Sequence, residues 1–235
     1  LDDILDTKTA VKDTLPTVFG YIGIGIAFGV VGKASGLNTI EVLLASLITY
    51  SGSAQFVMVG LLAAHAPFIT IVFSVFLVNS RMILMSTTVA RYFKNESLFK
   101  NILIGTLLTD ESFALSMSKQ NYTNGQLNFE WFNTANLLAY ATWAISTLGG
   151  ALIGNLIGDP EKWGLDFALI AMFIGLLYLQ LISDKALNLN LQLIMIGIVL
   201  VLMYIGLIFI PSNLLILVVT IVACLLGVIL KHAFF

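Results

Sequence analysis

The sequence predicts an all-α integral membrane protein, a polytopic helical bundle of about 7–8 transmembrane segments. Three observations carry that expectation. Of 235 residues, 59% are hydrophobic and only 10% are charged, with a mean hydropathy of +0.99; soluble domains carry about 25% charged residues. Apolar runs long enough to cross a bilayer recur along the whole chain, separated by short polar turns. Two of those runs are interrupted by small polar or charged residues, near 50–55 and 108–112, where broken or re-entrant helices are expected.

The elements follow from the need for about 20 apolar residues per span. Residues 1–14 form a polar, acidic N-terminal segment holding Asp2, Asp3, Asp6 and Asp13 against Lys8 and Lys12, a composition unlike a secretory signal. Residues 15–235 then read as one transmembrane transport domain, with candidate segments at 15–32, 40–64, 67–90, 102–118, 131–158, 164–183, 191–210 and 213–230. Gly36-Leu37-Asn38, Ala66-Pro67, the charged stretch 91–100, the Asn-rich stretch 119–130, Asp159-Pro160-Glu161-Lys162, Asp184-Lys185 and Pro211-Ser212-Asn213 are the connections. If every segment crosses, the basic residues divide evenly between the two faces. If 40–64 alone turns back, Lys8, Lys12, Arg91, Lys94, Lys100 and Lys162 share the inner face, which the positive-inside rule prefers. Gly25, Gly29 and Gly32, and likewise Gly150, Gly154 and Gly158, make small-residue stripes expected to serve close helix packing within the chain.

Composition also narrows function. The net charge of −2 and the lack of a basic cluster give no support for nucleic-acid binding. The single cysteine, Cys224, lies in an apolar run and excludes an intrachain disulfide framework. His65 and His232 have no metal-like neighbours, no glycine-rich phosphate loop is present, and no catalytic constellation suggests an enzyme, a cofactor or a metal.

The informative residues are charges where a buried helix should be apolar. Arg81 is central in 67–90, and Asp110 and Glu111 are central in 102–118. Each central charge costs about 2.5–3.5 kcal/mol to insert, while the Leu, Ile and Phe residues of 102–118 each return about 0.3–0.6 kcal/mol. Such groups mark substrate or ion pathways, so a transporter is expected. Arg81 cannot shed its proton and needs an acidic partner, carbonyl groups or a bound anion. Asp110 and Glu111 diverge by about 100° on a helix and must serve different neighbours. One can pair with Arg81; the other, buried without a cation, is a natural proton carrier, with Thr109 beside it. In Tyr50-Ser51-Gly52-Ser53-Ala54-Gln55 a break at Gly52 would open a half-helix N-terminus to a substrate carboxylate. If the helix were continuous, the same hydroxyls would bond a neighbouring helix instead. Asn79 lies about 200° from Arg81 and reaches the same pocket wall only if the helix is distorted. Tyr50, Ser51, Gly52, Ser53, Gln55, Asn79 and Arg81 are therefore candidate substrate contacts, and Thr109, Asp110 and Glu111 candidate ion-coupling residues.

Three stretches in order carry a family resemblance. Tyr50-Ser51-Gly52-Ser53-Ala54-Gln55-Phe56-Val57, Phe76-Leu77-Val78-Asn79-Ser80-Arg81 and Leu107-Leu108-Thr109-Asp110-Glu111-Ser112-Phe113-Ala114 resemble the signatures of the AzlC family. Met82 stands where that family often has His, so a role for a histidine there does not carry over. The resemblance implies the large subunit of an exporter of leucine, isoleucine and valine, with methionine a further candidate. It implies a multi-pass protein of the bacterial plasma membrane bilayer, driven by an ion gradient, with protons the expected coupling ion. It also implies a small AzlD-type membrane subunit as partner. The rival readings are a non-transporting scaffold subunit, which would co-purify with a partner yet bind no amino acid, and a channel for small zwitterions, which would not saturate.

Overall fold

The structure, a computed structural model, describes residues 1–154, 188–210 and 212–234, with 167, 174, 177–178 and 181 as isolated positions. The segment expected at 164–183 lies outside the described residues apart from those positions, as do Gly158, Pro211 and the turns beginning at Asp159 and Asp184. Every described element is helical, and the chain divides into two compact units, Leu1–Leu176 and Leu177–Phe235.

In the first unit, α1 (Thr7–Ala34) starts eight residues ahead of the apolar run expected at 15. Asp6 caps it, accepting from the Thr9 amide at 2.7 Å, a bond that holds the Asp6 carboxyl below its ordinary value. The polar residues that follow can be helical because they are matched inside the protein: Thr14 donates to the Ala10 carbonyl at 2.7 Å, and Asp13 receives Lys119 at 2.7 Å.

Next come α2 (Thr39–Ile48), capped by the reciprocal Asn38–Glu41 box, and α3 (Gly52–Ala63). These do not run on as one crossing helix. Ser46 meets Gln55 at 3.1 Å, and Val42 and Val59 pack in one cluster with Phe28 and Ala151, so the two half-helices lie antiparallel. At 10 and 12 residues, each reaches about halfway through a ~30 Å hydrocarbon core. Their turn is tight: Tyr50 takes φ 38, a left-handed backbone unusual for an aromatic residue.

A span of 23 residues follows, α4 (Phe68–Asn79) and α5 (Arg81–Ala90), interrupted at Ser80. Phe68, Ile69, Val72, Phe73 and Phe76 are exposed on it, as lipid-facing side chains should be. Then α6 (Leu98–Thr106) climbs back along α5: Asn101 bonds the Phe93 carbonyl, and Ile104 packs with Val89 and Phe93. From a break at Leu107–Thr109, α7 (Asp110–Gln120) descends again, with Asp110 beside Arg81 and Gln120 bonded to Tyr92 at 2.6 Å. This too is a re-entrant hairpin.

α8 (Phe129–Ile153) closes the unit against α1. Contacts climb both helices together, from Asp13 with Trp131, through Tyr21 with Trp143, to Gly29 with Gly150. The pair is therefore parallel, and the stretch between them must cross an odd number of times. One crossing by α4–α5 with both hairpins turning back satisfies this; the arrangement in which 40–64 alone turns back does not. The same order, a span followed by a hairpin, occurs twice in opposite directions, and the hairpins approach tip to tip from opposite faces. The approach of α1 to α8 depends on glycine: a Cβ on Gly29 would run into the Thr147 carbonyl, and one on Gly150 into the Ile26 carbonyl. Gly25, Gly29, Gly150 and Gly154 thus serve the contact of α1 with α8, while Gly32 faces Val42.

The second unit holds α9 (Leu189–Phe209) and α10 (Ser212–Phe234), which return on each other with Leu215 set against Gly206. Cys224 is exposed on α10.

Candidate functional site

The two hairpin tips bring the unusual polar residues together. In the first, Ser51 takes the N-cap position of α3 with extended backbone, but its hydroxyl caps nothing and has no hydrogen-bond partner although it is buried. The first-turn amides of an α-helix have no intrahelical acceptor, so this positive end faces the second tip without a side-chain cap. In the second tip, Thr109 and Ser112 form a reciprocal capping box, and Asp110 and Glu111 occupy the first turn of α7, where the helix dipole favours carboxylates.

Arg81 bridges the tips. One guanidinium nitrogen, Nη2, lies 2.8 Å from Asp110 Oδ2 and 2.6 Å from Ser53 Oγ. The interruption at Ser80 delivers it there. Glu111 turns the other way, as adjacent residues on a helix must. Its Oε2 accepts from the Tyr21 hydroxyl at 2.7 Å, and Tyr21 and Thr109 share a further hydroxyl bond of 2.8 Å. Trp143 stacks edge-on to Tyr21, ring centroids 5.1 Å apart, and lies over Gly52, where a Cβ would come within 3.1 Å of the indole.

Between these groups is a cavity of about 20 Å³, room for about one water. Tyr50, Ser51, Gly52, Ser53, Thr109, Asp110 and Glu111 line it, so most of the expected residues converge, while Arg81 reaches its rim through Ser53 and Asp110. Two do not. Gln55 is fully buried behind the tip, bonding Ser46 and accepting from the Trp143 indole at 3.0 Å. Asn79 sits at the end of α4 with its Oδ1 buried and unbonded, outside the lining. Three wall residues were not expected as contacts: Tyr21, Trp143 and Met82. An aromatic in an apolar helix gives no signal of its own; what sets Tyr21 apart from Phe19 and Phe28 in the same span is its hydroxyl, a polar group that needs a partner there. A larger groove, about 350 Å³, opens between α5 and α6 beside Lys94 and Asn101, but among the described residues no acidic group lines it. Among the described residues no group of three His, Cys, Asp or Glu side chains could hold a metal ion.

Comparison with known proteins agrees with this setting. A family model described as AzlC protein matches residues 16–157, which include both hairpins. The chain is 30% identical over 186 residues to the Branched-chain amino acid transport protein AzlC of Bacillus subtilis, covering 76% of this chain and 69% of that protein. It is 30% identical over 170 residues to the Inner membrane protein YgaZ of Escherichia coli, covering 71% and 69%. An uncharacterized membrane protein of Helicobacter pylori is 30% identical over 169 residues, covering 72% and 73%. No solved structure matches. The polytopic helical architecture, the three motifs and these relatives agree: the chain is a multi-pass membrane protein of the AzlC family.

Proposed function

We propose that this chain is a secondary transporter that exports branched-chain amino acids, driven by the proton gradient and working with a small membrane subunit of the AzlD type. The observation that carries the reading is the meeting of two re-entrant tips around opposite charges at mid-depth. A zwitterion needs a partner at each end when it leaves water. Its carboxylate fits the open N-terminus of α3 with Ser51, Ser53 and Arg81; its ammonium fits Asp110. The aliphatic tail lies against Met82 and Trp143. Glu111, held by Tyr21 rather than by a cation, carries the coupling proton.

The cavity of about 20 Å³ is too small for leucine, so the described state is closed, and loading requires one tip to withdraw from the other. Hairpins entering from opposite faces supply a gate on each side, the geometry of alternating access. The face shared by the N-terminus, the α5–α6 connection and the end of α7 holds Lys8, Lys12, Arg91, Lys94, Lys100 and Lys119, against Lys33 on the other face up to the end of α8. By the positive-inside rule the first face is cytoplasmic.

The test is efflux of radiolabelled leucine from proteoliposomes for wild type, Arg81→Gln, Asp110→Asn and Glu111→Gln. Arg81→Gln and Asp110→Asn should each lose efflux by about tenfold or more, since each removes one of the two charges proposed to hold the zwitterion, a charge-assisted hydrogen bond worth about 1.5–3 kcal/mol. Folded variants that all export at the wild-type rate would refute the assignment.

A further inference from the structure

We infer that a buried polar path for protons leads from Glu111 to the face carrying the N-terminus, by way of Ser112, Ser116 and Asn136 to the Asp13–Lys119 pair. The inference rests on the transport reading above and adds the route by which its coupling proton travels.

The path is written on three helices. Along α7, Thr109, Ser112, Ser116 and Lys119 are all buried, at spacings of three, four and three residues, so they form one stripe on one side of the helix. That side faces α1, because Thr109 meets Tyr21 at its upper end and Lys119 meets Asp13 at its lower end. α8 runs antiparallel to α7 beside the same stripe. Trp143 on Tyr21 marks its upper level, and Trp131, whose indole N–H donates to Asp13 at 3.2 Å, marks the lower. Asn136 lies between the two tryptophans on that buried face, fully enclosed, and neither its amide nitrogen nor its oxygen has a hydrogen-bond partner.

An unbonded amide is costly inside a membrane protein. An apolar side chain would fill the same place without that cost. Water resolves the discrepancy, because it can donate to the Asn136 oxygen and accept from its nitrogen. The serines suit the same purpose. Ser116 donates to the Phe113 carbonyl, which leaves its oxygen open to accept, while Ser112 donates to the Thr109 carbonyl and accepts from the Thr109 amide, linking the stripe to the tip. Upstream, Glu111 is faced by Tyr21, Tyr50, Asp110 and, through Asp110, Arg81. Downstream, Lys119 lies between Asp13 and the partly exposed Asp2, two carboxylates against one ammonium. Asp2, which Lys12 also faces, brings the path to the surface.

The experiment uses the full chain reconstituted with its small subunit and compares two readings. Leucine counterflow without a pH gradient needs the substrate site but not the proton; leucine movement driven by an imposed pH gradient needs both. Asn136→Leu and Ser116→Ala should keep counterflow within about twofold while pH-driven movement falls about a hundredfold, the scale of a lost proton-transfer step. Asn136→Ser, which restores a hydroxyl and room for water, should recover the driven rate. Wild-type driven rates in both Asn136→Leu and Ser116→Ala would overturn the path, as would a parallel fall in counterflow, which marks a packing role. Absence of counterflow in the wild type would instead overturn the transport reading itself.

Discussion

Lys119→Met should be among the most destabilising single changes in the chain, although hydropathy places this residue in a polar connection. Its ammonium is fully enclosed, 2.7 Å from Asp13 and 3.1 Å from Asp2, with the Trp131 ring 5.4 Å away. Removing it strands the Asp13 carboxylate, only 4% exposed, opposite the like charge of Asp2. Breaking a buried pair from one side costs about 3–5 kcal/mol. Asp13→Asn costs less, about 1–2 kcal/mol, because the amide oxygen still accepts from Trp131 and Lys119 still reaches Asp2. In the double variant no buried charge remains unmatched, so most of the Lys119→Met loss should be recovered. At about 2–4 °C per kcal/mol for a chain of this size, Lys119→Met lowers the melting temperature by roughly 10 °C. Tryptophan fluorescence during thermal unfolding in detergent reads this directly, since Trp131 touches both partners. A melting temperature within about 2 °C of wild type, or a double variant no more stable than Lys119→Met, would refute the argument.

Two further outcomes follow from the same structure. Gly29→Val places a side chain on the Thr147 carbonyl and should cost about 1–3 kcal/mol or more, whereas Gly23→Ala meets nothing within 4 Å and should leave thermal stability unchanged. Equal melting temperatures for the two would disprove the glycine contact between α1 and α8. The Lys119 hydrogen bond lowers the Asp2 carboxyl below its ordinary 3.8. Its stabilisation is therefore complete above that value and lost as pH falls through the lower folded value. Amide exchange across Asp3–Asp6, corrected for intrinsic rates, should accelerate on going from about pH 6 to about pH 3 in wild type but not in Lys119→Met; the same acceleration in both would count against the tether.

What could be read without coordinates tracks the cost of each residue. Arg81, Asp110 and Glu111 are legible because a charge in an apolar run demands an explanation, and the 100° step between neighbours already requires separate partners for the two acids. The structure supplies them in Arg81 and Tyr21. The break at Tyr50-Ser51-Gly52 is legible because small polar residues interrupt an aliphatic run. Its direction is not: hydropathy measures the length of a segment, and only pairs such as Ser46 with Gln55, or Gly29 with Gly150, reveal that the chain turns back or that α8 runs parallel to α1. Tyr21 and Trp143 resemble any aromatic residue of a membrane helix until Glu111 and Gly52 are placed beside them. Lys119 is hidden for another reason, its partner Asp13 lying 106 residues away.

The two tips are alike in construction and opposite in charge, and in the proposed mode that difference orients the zwitterion. Both are half-helix starts with Ser or Thr at the N-cap, and both present a positive dipole end at mid-depth. The second satisfies that end itself: Thr109 and Ser112 cap its amides, and Asp110 and Glu111 supply negative charge in its first turn. It is left with carboxylates facing outward. The first has Gly52, Ser53 and Ala54 in its first turn and no acid, so its dipole end remains unanswered except by what enters the pocket. In the closed state Arg81 joins the two tips by bonding Asp110 and Ser53 together. An arriving amino acid brings one charge of each sign, so in the proposed mode its ammonium takes over from Arg81 at Asp110 while its carboxylate takes over from Asp110 at Arg81. The pocket gains no net charge in that exchange. What must then be supplied is the separation of the hairpins rather than the desolvation of a new ion.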